Sequence, residues 1–134
     1  MKQIIKISVL IFTICSLIIV PCYANNDIMP LWDHTDGVTG NIFFNGTTGT
    51  FDGHVIGDID VTDIYVTAYL YYKDTNGEWV YIRPWSFMST SSTIYYSKNF
   101  TAESGVEYKV DYTAYVYVGT DCEEISFSTT NTCP

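Results

Sequence analysis

The fold is indicated first by the segment DIYVTAYLYYKDTNGEWVYIRPWSF, residues 63–87. Its first half alternates between two kinds of residue with a period of two, which is typical of a β-strand with one buried face. The face that carries aliphatic residues and no charge is predicted to be buried, and it consists of Ile64, Val66, Ala68, Leu70 and Tyr72. The opposite face presents Tyr65, Thr67, Tyr69 and Tyr71.

The segment DTNGE in the middle of this stretch predicts a β-hairpin. A two-residue turn at Asn76-Gly77 would place Leu70 opposite Arg83 on the core side, and burying an unpaired charge is costly. A three-residue loop that ends with a left-handed Gly77 shifts the pairing by one residue and exchanges the two faces of the second strand. We therefore expect the longer loop, with the pairs Lys73–Trp79, Tyr72–Val80, Tyr71–Tyr81, Leu70–Ile82, Tyr69–Arg83 and Thr67–Trp85.

Short runs rich in Tyr, Val, Ile, Thr and Phe alternate with turn residues along the rest of the chain. Such residues favour strands, and no window shows the 3.6-residue period of an amphipathic helix. Seven strands are predicted, at residues 37–45, 48–56, 62–73, 78–88, 93–101, 105–118 and 123–130. This pattern predicts an all-β fold, a seven-stranded antiparallel sandwich of immunoglobulin or fibronectin type III style.

The N-terminus has the layout of a secretory signal peptide. Lys2 and Lys6 precede an apolar segment at residues 7–20, and Pro21 and Ala24 follow at the expected cleavage region. The apolar segment is shorter than the ~20 residues that a membrane-spanning helix needs. We therefore expect a signal-peptide helix within residues 1–24 and a secreted mature chain.

The mature chain is expected to consist of an arm over residues 25–35 and a β-sandwich domain over residues 36–134. Leu31 and Trp32 are apolar enough to pack under the domain. The alternatives for the N-terminus are an uncleaved anchor and a lipid on Cys22.

The charge of the mature chain excludes several kinds of partner. Without residues 1–24 the chain keeps four basic and 15 acidic side chains, a net charge of about −11. Phosphate groups are bound by lysine and arginine, so we expect neither nucleic acid nor an anionic membrane surface as a partner.

Cys122 and Cys133 are the two cysteines of the mature chain, and the residues between them read as a strand. Eleven steps along a strand span roughly 36 Å, whereas a disulfide needs Cα atoms about 5.5 Å apart. We expect no bond within this pair, so each thiol is either free or paired between chains.

Three segments resemble a group of small secreted proteins from Gram-positive bacteria. They are IMPLW at residues 28–32, SKNFTAESGVEYKVDYTAYVY at residues 97–117 and EISFSTTNTC at residues 124–133. The proteins of this group are single β-sandwich domains of unknown function. The resemblance implies export and a sandwich, and it implies no catalytic or binding residue.

The sequence contains no pattern that predicts catalysis. His34 and His54 are the two histidines, no G-x-S-x-G motif occurs, and no two carboxylates stand out as a pair. The segment GDIDVTD resembles part of a calcium loop but lacks its glycine and glutamate. We expect a protein that is not an enzyme and has no cofactor, with calcium at Asp58 and Asp60 as the alternative to a polar turn.

Aromatic side chains are the strongest indication of function. If the third, fourth and sixth strands share a sheet, its outer surface displays a contiguous set of rings, and Arg83 beside Tyr69 adds a cation–π contact. The candidate ligand-binding residues are Tyr65, Tyr69, Tyr71, Trp79, Tyr81, Arg83, Trp85, Tyr115 and Tyr117.

Large exposed aromatic patches usually contact a partner. We therefore expect a secreted, non-catalytic binding module whose ligand is a cell-surface glycan or protein. One alternative is a purely structural role, in which aromatic pairs stabilise the sheet. Another is a secreted antibacterial or membrane-active β protein that self-associates.

Overall fold

A computed structural model describes residues 32–134, which contain seven β-strands and no helix. The strands are β1 (Thr35–Asn45), β2 (Thr48–Gly57), β3 (Asp63–Lys73), β4 (Trp79–Ser89), β5 (Thr93–Thr101), β6 (Glu107–Val118) and β7 (Asp121–Thr132). The predicted signal peptide and most of the predicted arm lie outside the described residues. Within residues 32–134, no helix is long and apolar enough to cross a membrane.

The strands form two antiparallel sheets. One has three strands in the order β1-β2-β5, and the other has four strands in the order β4-β3-β6-β7. Each predicted strand is present, and its ends differ from the predicted ends by at most two residues. The prediction of an all-β domain with seven antiparallel strands in two sheets is confirmed.

The inner faces of the two sheets form one hydrophobic core. The central strands β3 and β6 supply much of this core. The predicted residues Ile64, Val66, Ala68 and Leu70 of β3 are buried, and so are Val110, Ala114 and Val116 of β6. From the other sheet, the buried Phe51 ring contacts Trp85, Phe87 and Tyr112, at centroid distances of 5.1, 6.4 and 6.2 Å. Burying one such side chain stabilises the fold by about 1.5–3 kcal/mol, so these contacts hold the two sheets together.

The β3–β4 hairpin has the predicted three-residue loop. Gly77 has a φ of 84°, the left-handed conformation that glycine adopts without strain. The Asp74 carboxylate accepts hydrogen bonds from the backbone N–H groups of Glu78 and Asn76, which hold the pKa of Asp74 below its usual value. The pairs nearest the loop are also as predicted: Lys73–Trp79, Tyr72–Val80 and Tyr71–Tyr81.

Beyond Tyr71 the predicted register is wrong, because a β-bulge shifts the pairing between Leu70 and Tyr71. The observed pairs are Leu70–Arg83, Tyr69–Pro84 and Thr67–Ser86, in place of Leu70–Ile82, Tyr69–Arg83 and Thr67–Trp85. An extra residue on one strand exchanges the faces of everything that follows it. Trp85 and Phe87 therefore pack against the core instead of facing solvent.

Arg83 lies on the core side of β4 without being buried. β4 is an edge strand, and the Arg83 side chain is exposed beside the core. Its guanidinium group lies 4.6 Å from the centroid of the Trp85 ring, so the expected cation–π partner, Tyr69, is replaced by Trp85. A long cationic side chain can cover apolar surface while its charged end stays in water, which avoids the cost of a buried charge.

The start of the described chain is fastened to β7. The Glu123 carboxylate accepts hydrogen bonds from the backbone N–H groups of Asp33 and His34 and from the Thr35 hydroxyl. Trp32 is half-buried against the core, as predicted. Glu123 therefore connects the end of the arm to the edge of the four-stranded sheet.

The two cysteines lie at opposite ends of the unbroken strand β7. Cys122 is exposed at its beginning, and Cys133 is buried just after its end, with its sulfur 3.5 Å from the Gly46 carbonyl oxygen. Both thiols are free. The extended strand predicted between them is present, so the two sulfur atoms are held far apart.

Candidate functional site

The outer face of the four-stranded sheet carries seven of the nine predicted binding residues. Side chains of directly paired residues in antiparallel strands lie on the same face of a sheet. By this register the outer face holds Tyr65, Tyr69, Tyr71, Trp79, Tyr81, Tyr115 and Tyr117. Trp85 and Arg83 lie on the other side of β4, so the predicted surface loses these two residues.

Two lysines and three aromatic residues form one end of this face, which we call the lysine–aromatic cluster: Lys73, Tyr71, Trp79, Tyr81 and Lys109. The Lys109 ammonium group lies 4.7 Å from the Tyr71 ring centroid and 5.1 Å from that of Trp79. The Lys73 ammonium group lies 5.3 Å from Trp79, and Tyr71 meets Tyr81 edge to face at 5.7 Å. The cations and rings thus alternate across three strands.

Both lysines of the cluster also form ion pairs. Lys73 lies 2.9 Å from a carboxylate oxygen of Glu107, and Lys109 lies 2.9 Å from one of Asp111. These pairs are partly exposed, and such pairs contribute about 0–1 kcal/mol each. Their main effect is to fix the ammonium groups over the rings.

Three tyrosines and a cysteine form the other end of the face, which we call the tyrosine–cysteine cluster: Tyr65, Tyr115, Tyr117 and Cys122. Tyr65 and Tyr117 meet edge to face at 5.7 Å, and Cys122 is the direct strand partner of Tyr117. The Cys122 thiol raises the pKa of the Tyr117 hydroxyl. This cluster carries no lysine or arginine.

A row of small hydroxyl residues separates the two clusters, so the prediction of one contiguous aromatic surface is wrong. The row crosses all four strands in register and consists of Ser86, Thr67, Thr113 and Ser126. Tyr69 and Tyr65 lie on either side of it, four residues apart along β3, which corresponds to about 13 Å. The face therefore offers two separate aromatic areas with a polar strip between them.

Exposure differs within the face. Tyr81 is 51% exposed, Tyr65 42% and Tyr69 37%, whereas Tyr71 and Trp79 are half-buried under the lysines. The most exposed rings of this face are therefore Tyr81 and Tyr69, at the margins of the lysine–aromatic cluster, and Tyr65 in the tyrosine–cysteine cluster.

The outer face of the three-stranded sheet holds a polar groove that the sequence reasoning missed. The groove is lined by Thr39, Asn41, Asp52, Gly53, His54, Tyr95, Tyr96 and Ser97. In β2, Asp52 and His54 alternate with the buried Phe51 and Val55, and this alternation would have placed Asp52 and His54 together on the outer face. Tyr95 alternates in the same way with the buried Ile94 and Tyr96 of β5, but only the cross-strand register brings it beside His54.

His54 and Asp52 do not form the acid–base pair of a catalytic triad. The His54 Nδ1 atom lies 2.9 Å from the Thr39 hydroxyl, and the Asp52 carboxylate accepts a hydrogen bond from the Asn41 side chain at 3.1 Å. Each side chain is thus held by a cross-strand partner on β1. Neither residue therefore orients the other as the acid orients the histidine in a catalytic triad.

Two acidic residues, Asp36 and Asp58, lie close together near the β2–β3 loop. A hydrogen bond with Asp36 raises the pKa of Asp58, as expected when two carboxyl groups share a site. Among residues 32–134, no three His, Cys, Asp or Glu side chains are grouped to hold a metal ion. The calcium alternative at Asp58 and Asp60 therefore has no ligand set in the part of the chain that the structure describes.

His34 is part of the connection between the arm and β7. Its Nε2 atom lies 2.9 Å from a carboxylate oxygen of Asp121. This hydrogen bond raises the pKa of His34 and lowers that of Asp121. His34 therefore helps to connect the arm to β7.

No protein-family model matches this chain, and no curated protein sequence matches it either.

Proposed function

We propose that this protein is a secreted, non-catalytic binding domain that contacts a cell-surface protein through the outer face of its four-stranded sheet. The proposal includes an immunoglobulin or fibronectin type III style for the domain. The strand order supports this style, because the third, sixth and seventh strands share a sheet, as strands C, F and G do in immunoglobulin domains. Export is supported by the signal-peptide pattern of residues 1–24.

The observation that carries the proposal is the lysine–aromatic cluster. The protein is strongly acidic, yet two of the four basic side chains within residues 32–134 lie side by side on this one face. Aromatic rings supply rigid contact area with a hydrogen-bonding end, and they dominate the binding energy of many interfaces. Exposed Tyr69 and Tyr81 flank the lysines and are the expected anchor residues.

The geometry favours a protein over a glycan at this face. Sugar rings stack on open aromatic faces, and the ammonium groups of Lys73 and Lys109 already cover Trp79 and Tyr71. The remaining surface is a flat mixture of tyrosine edges, ammonium groups and the hydroxyl row. Interfaces between proteins commonly combine an aromatic centre with such a polar margin.

A cell-binding measurement tests the proposal. Fluorescently labelled protein is added to washed Gram-positive cells that are untreated, treated with protease, or oxidised with periodate to destroy sugars. We expect binding that protease abolishes and that the double variant Tyr69→Ala/Tyr81→Ala weakens by about tenfold or more, because each ring is an anchor.

The matched control is Phe43→Ala/Ile59→Ala, which removes two exposed apolar side chains away from the face (49% and 94% exposed). This control is expected to bind as the unchanged protein does. Absence of binding, or equal binding by both double variants, would contradict the proposal. Binding that periodate abolishes and protease spares would indicate a glycan instead.

Self-association is a second candidate function, supported by Cys122. Its thiol is exposed on the edge strand β7 and lies in the tyrosine–cysteine cluster, where a second copy has access to it. Sedimentation of the oxidised protein, with Cys122→Ser as the control, tests this directly. A disulfide-linked dimer that Cys122→Ser abolishes would support it, and a monomer would exclude it.

A further inference from the structure

We propose that the polar groove on the outer face of the three-stranded sheet is a second binding site, and that its ligand is a neutral saccharide. This site lies on the opposite sheet from the lysine–aromatic cluster. The inference goes beyond the proposed function and does not depend on it.

Two cross-strand rows of side chains form the walls of the groove. The register places Asn41, Asp52 and Ser97 in one row and Thr39, His54 and Tyr95 in the next. Gly53 and Tyr96 lie between the rows and form the floor. The groove has a volume of about 590 Å³, which is within the usual range of sites for small ligands.

The polar atoms of the groove are fixed before any ligand arrives. The Asn41 side-chain amide donates to one Asp52 carboxylate oxygen at 3.1 Å, and the Thr39 hydroxyl lies 2.9 Å from His54 Nδ1. These bonds leave the second Asp52 oxygen, the Asn41 carbonyl oxygen and His54 Nε2 available. Pre-positioned acceptors and donors of this kind match the closely spaced hydroxyl groups of a sugar ring.

Tyr95 supplies the apolar part of the site. Its side chain is 74% exposed, the most exposed aromatic ring among residues 32–134. It stands beside His54 with ring centroids 5.5 Å apart, and no cation covers it. An open ring next to fixed polar atoms suits a ligand with one apolar face and many hydroxyl groups, which describes a sugar.

The charge of the groove disfavours an anionic ligand. Asp52 is its one carboxylate, and no lysine or arginine is among its lining residues. Phosphates and uronic acids would be repelled by Asp52 with no cation to compensate.

The floor of the groove is closely packed, which favours a fixed arrangement of the two walls. The Tyr96 hydroxyl donates to the Thr39 carbonyl oxygen at 3.2 Å beneath Gly53. A side chain at Gly53 would place its Cβ atom within 2.5 Å of both the Thr39 oxygen and the Tyr96 hydroxyl, so this close approach needs glycine. The two walls are thereby held at a fixed separation.

An NMR titration tests the inference. The ¹⁵N-labelled protein is titrated with four neutral disaccharides (cellobiose, maltose, mannobiose and diacetylchitobiose), each up to about 20 mM, because weak single sites have millimolar affinity. We expect at least one sugar to shift the backbone amide signals of residues 39–41, 52–54 and 95–97. Tyr95→Ala should weaken the binding of that sugar about tenfold, and Tyr95→Phe should retain the binding because the ring remains.

Two controls distinguish binding at this site from nonspecific binding. Tyr81→Ala, on the other sheet, is expected to leave sugar binding unchanged, and the uronic-acid counterpart of the sugar that binds is expected to bind more weakly because of Asp52. No signal shift with any of the four sugars would overturn the inference. Shifts that Tyr95→Ala leaves unchanged would overturn it as well, whatever the outcome of the cell-binding measurement.

Discussion

The Lys109 ammonium group lies 4.7 Å from the ring centroid of Tyr71 and 5.1 Å from that of Trp79, although the three residues belong to three different strands. Lys109 is far from Tyr71 and Trp79 in the sequence, and the pairing of β6 with β3 brings it to them. A cation over an exposed aromatic ring contributes about 0.5–1 kcal/mol. The lysine–aromatic cluster therefore links strands β4, β3 and β6, and it belongs to the surface that we propose for a partner.

Removing the charge of Lys109 while keeping the length of its side chain should weaken the connection between β6 and the rings of Tyr71 and Trp79. We expect Lys109→Met to lower the free energy of unfolding by about 0.5–1 kcal/mol, because the contacts with Tyr71 and Trp79 depend on the charge. Urea denaturation followed by tryptophan fluorescence measures this difference. Lys98→Met on β5 is the control, and an equal loss in both variants would contradict a specific contribution from the cluster.

The hydroxyl groups of two core tyrosines should respond oppositely to removal. The Tyr112 hydroxyl is buried without a hydrogen-bond partner, whereas the Tyr96 hydroxyl donates to the Thr39 carbonyl oxygen. An unpaired buried hydroxyl is costly, and a paired one contributes about 1 kcal/mol. We expect Tyr112→Phe to stabilise the protein by up to about 1 kcal/mol and Tyr96→Phe to destabilise it by about 1 kcal/mol. Thermal unfolding measures both, and a clear loss of stability in Tyr112→Phe would be inconsistent with this arrangement.

Gly40 on β1 should not tolerate a side chain. A Cβ atom there would lie 2.6 Å from the Tyr112 ring, whereas one at Gly37 on the same strand would meet nothing within 4 Å. Overpacking of this kind costs about 1–3 kcal/mol. We expect Gly40→Ala to lose about that much stability in chemical denaturation and Gly37→Ala to lose much less. Similar losses in the two variants would show that the close approach of Tyr112 is not responsible.

The contact between His34 and Asp121 should make stability depend on pH. The hydrogen bond with Asp121 raises the pKa of His34, so this contribution is complete below about pH 6.5 and is lost as the pH rises through the raised value. The pKa of Asp121 is lowered, so its contribution is present above about pH 4 and is lost as the pH falls further. Glu123, Asp33 and Asp58 also interact electrostatically with His34.

The pair therefore contributes most between about pH 4 and pH 6.5. We expect the difference in unfolding free energy between about pH 5.5 and pH 8 to be smaller in His34→Gln than in the unchanged protein. Urea denaturation at the two pH values measures it. The same pH difference in both proteins would mean that the contact does not couple to folding.

The strands could be predicted from the sequence because alternation and turn residues act locally. The positions of β1 to β7, the left-handed Gly77 and the buried face of β3 all follow from residues that are close together in the chain. These features need no knowledge of which strands become neighbours.

The bulge in β4 could not be predicted, because it results from packing. Trp79 and Tyr81 lie outside while Trp85 and Phe87 lie inside, and strict alternation cannot satisfy both pairs. The bulge resolves this by exchanging the faces partway along the strand. The prediction assumed that Arg83 cannot lie on the core side of β4, and this assumption led to the wrong register. Because β4 is an edge strand, the guanidinium group of Arg83 stays in water even on that side.

The candidate site was predicted in part for the same reason. Alternation placed Tyr65, Tyr69 and Tyr71 of β3 and Tyr115 and Tyr117 of β6 on the outer face, where the structure has them. The division of that face by a row of hydroxyl groups depends on cross-strand register, which the sequence does not specify. The polar groove was missed because its walls come from three strands.

The proposed partner surface is tested by comparing the binding of three proteins to untreated and protease-treated Gram-positive cells: the unchanged protein, Tyr69→Ala/Tyr81→Ala and Phe43→Ala/Ile59→Ala. Circular dichroism first verifies that all three proteins are folded. If the outer face of the four-stranded sheet binds a cell-surface protein, binding is protease-sensitive and falls about tenfold or more only in the tyrosine variant. Equal binding by the two folded double variants, or no binding by the unchanged protein, would contradict it.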